Sequence, residues 1–74
     1  MEENKKAVKH LIAGNIKKYR AKAGLTQEQA AEKADLSLNY WQRLEMISQK
    51  DIPSIPTLNK IAKILRTNLK DFFN

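Results

Sequence analysis

A chain of 74 residues, 42% hydrophobic and free of cysteine, has room for one small core, with no disulfide to brace it and no thiol chemistry. No apolar run approaches the ~18 residues of a membrane span, and the opening MEENKKAVKH lacks the apolar stretch of a secretory leader, so the expected setting is cytoplasmic, with no membrane partner. The net charge of +6 is uneven: residues 1–25 carry seven Lys/Arg against two Glu, residues 26–45 two against four, and residues 46–74 five against two.

The first predicted helix covers about residues 7–23. Val8, Ile12, Ile16 and Tyr19 recur at three or four, with Leu11 beside them, while Lys9, Lys17, Lys18 and Lys22 fall elsewhere on the wheel. The lysines of this segment read as a solvated face. Gly24 signals the helix end. Gly14, inside the helix, costs about 1 kcal/mol relative to alanine and marks either a frayed turn or a close contact.

Thr26 followed by Gln29 forms a capping box that opens a short second helix, about residues 27–34. Its apolar residues, Ala30, Ala31 and Ala34, are all small, so another helix can approach closely. Asp35 tolerates the left-handed backbone of a tight turn. Leu36 plugs the core. Ser37 caps a third helix, about residues 38–46, whose narrow apolar stripe is Trp41 and Leu44. After a loop at residues 46–53, Ser54 caps a fourth helix, about residues 55–66, with Pro56 tolerated in its first turn. Leu58, Ile61, Ala62 and Leu65 form its buried stripe. Asn68 can cap a last short helix, about residues 69–73, bearing Leu69, Phe72 and Phe73. The expected fold class is all-α: a compact five-helix domain spanning residues 1–74.

Two short helices joined by a tight turn, the first lined with alanine and the second capped by serine, make a helix-turn-helix. The stretch LTQEQAAEKADLSLNYWQRLE, Leu25 to Glu45, resembles that of the Xre/Cro family, which includes the lambdoid phage repressors. IKKYRAKAGLTQ is similar to the family's first helix and PSIPTLNKIAKIL to its fourth, so the resemblance runs over roughly residues 12–73. It implies a lambda-repressor-like DNA-binding fold. It also implies that Gln27 contacts a phosphate, that Ala31 stays small where helices cross, and that Ser37 caps the recognition helix. By the same resemblance Trp41 and Leu44 are buried, and Arg20 pairs with Glu45. Asp35, where the family usually has glycine, and Trp41, where it has an aliphatic residue, depart from the pattern.

With Trp41 and Leu44 inward, Leu38, Asn39, Gln42 and Arg43 point elsewhere on the helix, which turns about 100° per residue. These are the candidate base readers: asparagine suits adenine, arginine suits guanine and Leu38 suits a thymine methyl. Tyr40 lies at the edge of the stripe, where related proteins use a tyrosine on the DNA. Candidate phosphate contacts are Gln27, Ser37, Lys50, Ser54 and Lys17. The expected function is a transcriptional regulator, a repressor by default, binding a palindromic operator in double-stranded DNA as a homodimer. The alternative is a protein-interaction module on the same fold, such as an antitoxin or coactivator-bridging domain. An enzyme is not expected, since the one histidine, His10, is isolated and there is no glycine-rich phosphate loop. No metal, cofactor or small-molecule effector is expected.

Overall fold

The computed structural model describes the backbone of residues 2–74 and the side chains of residues 4–74. Four α-helices follow in order: α1 (Glu2–Lys22), α2 (Gln27–Lys33), α3 (Leu38–Glu45) and α4 (Ile55–Ile64), closed by a 3₁₀ helix at Leu69–Phe73. The expected fifth α-helix is therefore a 3₁₀ turn. Its five residues are too few to favour α-helical bonding, and the tighter form is common in such short pieces. The described residues contain no strand.

Local chemistry explains the ends of these elements. Thr26 Oγ1 accepts from the Gln29 amide at 3.0 Å, and Gln29 Oε1 accepts from the Thr26 amide at 3.0 Å, completing the capping box. The Ser37 hydroxyl oxygen accepts from the Tyr40 amide at 3.1 Å, and the Ser54 oxygen from the Thr57 amide at 3.3 Å. The stop signals of α1, α2 and α4 share one geometry. Gly24, Asp35 and Arg66 all lie in the left-handed region, at φ 72°, 57° and 57°. In each case the next amide reaches back five residues: Leu25 to Arg20 O, Leu36 to Ala31 O and Thr67 to Ala62 O. These are Schellman caps, which satisfy carbonyls the helices leave free. Arg66 has no sequence signal for this conformation.

Ile12, Ile16, Ala30, Ala31, Ala34, Trp41, Leu44, Leu58, Ile61, Ala62, Leu65 and Phe72 form the core. The alanine face of α2 is fully covered, and α3 packs against both α1 and α2. The 3₁₀ helix packs on α1 and α4, with Phe72 meeting the Tyr19 ring edge-on at 6.3 Å between centroids. Asn15, buried on α1, donates to the carbonyls of Phe72 at 2.9 Å and Asn74 at 3.1 Å, which ties down the end of the chain.

Several expectations for α1 are overturned. The helix is described from Glu2, earlier than Ala7, and Glu2, Glu3, Lys5 and Lys6 are good helix formers that favour the extra turn, Asn4 less so. Val8 and Leu11 are exposed, whereas Lys9, expected on the solvated face, is only 4% exposed. Lys9 shares its face with Ile12 and Ile16 at three and seven residues. Phe73 likewise is exposed beside the buried Phe72.

Gly14 is neither frayed nor closely packed. It sits mid-helix, exposed, and a Cβ built there meets nothing within 4 Å. Gly14→Ala is therefore expected to raise stability by about 1 kcal/mol, read as a shifted urea midpoint at unchanged slope. An unchanged or lowered midpoint would contradict this.

Candidate nucleic-acid interface

The α3 helix has two faces. Trp41 and Leu44 are wholly buried. Leu38 and Asn39 are exposed, and Tyr40, Gln42 and Arg43 are half-buried. The polar side chains thus occupy the arc that the core leaves free, with the first turn the most open. Tyr40 is less available than Asn39, because it also packs against the core.

One carboxylate holds the inner face. Glu45 Oε2 accepts from Arg20 Nε and from the Trp41 indole nitrogen, both at 2.6 Å. Its Oε1 accepts from Arg20 Nη2 at 3.0 Å and Gln27 Nε2 at 3.1 Å. Arg20 Nη1 also donates to Leu25 O at 2.9 Å, which reaches the loop before α2. Glu45 thus ties α1, α2 and α3 together through four donors. Burial pushes its pKa up, but the hydrogen bonds from Arg20, Trp41 and Gln27, with the Arg20 charge, outweigh this and hold it below the ordinary value. The Arg20 pKa is raised, chiefly by its hydrogen bond to Glu45.

This arrangement gives Trp41 a reason to be a tryptophan. An aliphatic residue would fill less of this buried space and would offer no donor, whereas the indole N–H bonds Glu45 one turn away. It also gives Gln27 a partner inside the fold. The amide of Gln27 has two hydrogens, and the bond to Glu45 uses one of them.

A second anchor was not foreseen. Lys9 Nζ donates to the carbonyls of Arg43 at 2.9 Å, Leu44 at 3.1 Å and Asp51 at 2.6 Å. An ammonium with three donors thus closes the C-terminal end of α3 and joins it to the following loop. Burial lowers the Lys9 pKa, with the Asp51 charge opposing. Its spacing with Ile12 and Ile16 was the one available signal.

The outer residues gather into two groups. Lys17, Gln27 and Gln42 line a shallow recess with Glu45 and Met46. Arg43 lies with Asp51 and Tyr40: its Nε stands 3.3 Å from Asp51 Oδ1, and its Cζ is 5.5 Å from the centre of the Tyr40 ring. Lys50 and Ser54 are exposed on either side of Asp51 in the chain. Ser37 is exposed but spends its acceptor on the α3 cap. The described residues hold no cluster of His, Cys, Asp and Glu able to bind a metal. None of the described helices is long and apolar enough to cross a membrane.

A short α2 with a small-residue face, a tight turn and an α3 that buries one side while presenting the other define a helix-turn-helix. The chain belongs to the helix-turn-helix family HTH_3, which matches residues 16–72. Among solved structures it is similar to an HTH_3 family transcriptional regulator from Vibrio cholerae, with 29% identity and a TM-score of 0.82. That likeness covers 93% of this chain and 38% of the other, so the chain spans well under half the length of its structural relative. No curated protein matches.

Proposed function

We propose that this chain is a DNA-binding transcriptional regulator that reads double-stranded DNA with α3 in the major groove. The observation that carries the reading is the division of α3: Trp41 and Leu44 are sealed in the core while Leu38, Asn39, Gln42 and Arg43 remain available. Helix-turn-helix recognition uses the N-terminal part of such a helix on base edges. Gln27, Ser37, Lys50, Ser54 and Lys17 act on phosphates in this reading, and the net charge of +6 supplies attraction at longer range. Family membership and the likeness to a transcriptional regulator support the assignment.

The finer proposal is repression by occupying a palindromic operator as a homodimer, with half-sites about one helical turn apart. The exposed Phe73 supports a surface for self-association near the end of the 3₁₀ helix. Selection of bound sites from random DNA tests operator and symmetry together, since a dimer of this kind yields a palindromic consensus.

Arg43→Ala is expected to weaken operator binding by roughly tenfold or more, the value of one good bidentate base contact, while random DNA binding changes much less. Titration of both DNAs checks this, and equal weakening would remove Arg43 from the base-reading set. A second reading, a protein-interaction module, draws on the exposed Met46, Ile47, Ile52 and Ile55 in and around the α3–α4 loop. A salt titration separates the two, because binding through several phosphates weakens steeply as salt rises.

A further inference from the structure

We propose that Asp51 is a positioning residue for base recognition: its carboxylate, with the Tyr40 ring, holds the Arg43 guanidinium so that the two terminal nitrogens face the DNA. The inference rests on the reading of α3 as a recognition helix and deepens it.

The contact atom decides the geometry. Asp51 Oδ1 approaches Arg43 at Nε, 3.3 Å away. A guanidinium is planar and carries five N–H donors, one on Nε and four on the Nη atoms. The ion pair has its nearest approach at Nε and so leaves the Nη1–Nη2 edge, the edge that can reach guanine O6 and N7 together. The Tyr40 ring, 5.5 Å from Arg43 Cζ, lies on the cation as well. Side-chain exposure of 36% for Arg43 and 31% for Asp51 leaves both open to the surface.

The brace has a fixed root. The carbonyl of Asp51 accepts from Lys9 Nζ at 2.6 Å, and the same ammonium bonds the carbonyl of Arg43 at 2.9 Å. One buried lysine thus sets the spacing between the backbone of the reader and the backbone of its brace. A long arginine side chain otherwise loses rotamer freedom when it binds a base. Holding it beforehand reduces that loss, which is how preorganisation raises affinity.

Electrostatics alone predicts the opposite sign, because removing an acid near DNA should tighten all binding. This opposition makes the proposal testable. The operator is first obtained by selection from random DNA, and each base pair is then substituted in turn. Binding is measured for the unaltered protein, Arg43→Ala and Asp51→Ala, with Asp51→Asn as the second variant should alanine impair folding.

The expected result is that the Asp51 variant loses discrimination at the same base pair as Arg43→Ala and at no other, by about tenfold, while binding to random DNA stays level or tightens. Tightening on operator and random DNA alike overturns the proposal, since Asp51 would then only restrain Arg43. Loss spread over every base pair also overturns it, as the mark of a general structural role. Discrimination lost in Arg43→Ala but kept in the Asp51 variant sinks the brace alone. If Arg43→Ala itself loses no discrimination, base reading by Arg43 fails, and the brace fails with it.

Discussion

Glu45→Ala is expected to lower stability by about 3 kcal/mol, near the low end for breaking a buried ion pair. The Glu45 side chain is 3% exposed and that of Arg20 15%, so alanine strands a guanidinium that water reaches only in part. Two further donors lose their acceptor, the Trp41 indole N–H and the Gln27 amide. The indole is the more costly of the two, because Trp41 is wholly buried whereas Gln27 is half-buried. Urea unfolding measures the loss directly. A change below about 0.5 kcal/mol, ordinary for an exposed position, would refute the role assigned to this carboxylate.

The same residue sets an acid limb. Its folded pKa lies below the ordinary value of 4.5, so the folded protein holds this proton less readily than the unfolded chain. Its contribution is complete above about pH 4.5 and declines as pH falls toward and through the lowered folded value. Glu45→Gln is therefore expected to be less stable at neutral pH and to show a flatter fall on acidification. Parallel acid limbs in the two proteins would place the titration elsewhere.

Lys9→Met is the second large effect expected, a loss of about 2–3 kcal/mol. Methionine matches much of the lysine stem but cannot donate, so the carbonyls of Arg43, Leu44 and Asp51 lose their shared ammonium. Hydrogen bonds to a charged group contribute about 1.5–3 kcal/mol, and a cation at a partly buried helix C-terminus adds up to about 2. Relief of the buried charge offsets part of that sum, since burial already depresses the Lys9 pKa. The Arg43 carbonyl also keeps its bond from the Met46 amide at 3.2 Å. Lys6→Met, at an exposed position of the same helix, is the control and should change stability little. Equal effects at the two positions would contradict the anchor.

These anchors differ in how far apart their partners lie along the chain. The capping box at Thr26 and Gln29, the serine caps at Ser37 and Ser54, and the turns at Gly24 and Asp35 join residues within about one helical turn. Such bonds are decided by residue type and spacing, and the helix-turn-helix was legible from them. The candidate base readers were legible for a related reason: once Trp41 and Leu44 are inward, helical geometry leaves Leu38, Asn39, Gln42 and Arg43 outside. The Arg20–Glu45 pair came instead from likeness to a family, since nothing local links residues 25 apart.

Lys9 shows where such reading stops. Its wheel position with Ile12 and Ile16 argued for burial and its charge argued against. The contest is settled by acceptors 34 to 42 residues away in the chain. The left-handed Arg66 is similar, because an arginine takes that backbone only where a docked helix must stop there. The sequence pattern points Gln27 and Arg43 outward, yet packing supplies each with a carboxylate partner of its own, Glu45 and Asp51. Short-range hydrogen bonds and apolar spacing therefore determine the helices, their caps and the two faces of α3. The acceptors for Lys9 and the Arg20 and Gln27 bonds to Glu45 exist only when distant segments meet, because each joins groups that the unfolded chain holds far apart, and the Asp51 contact to Arg43 depends on how the loop after α3 folds back.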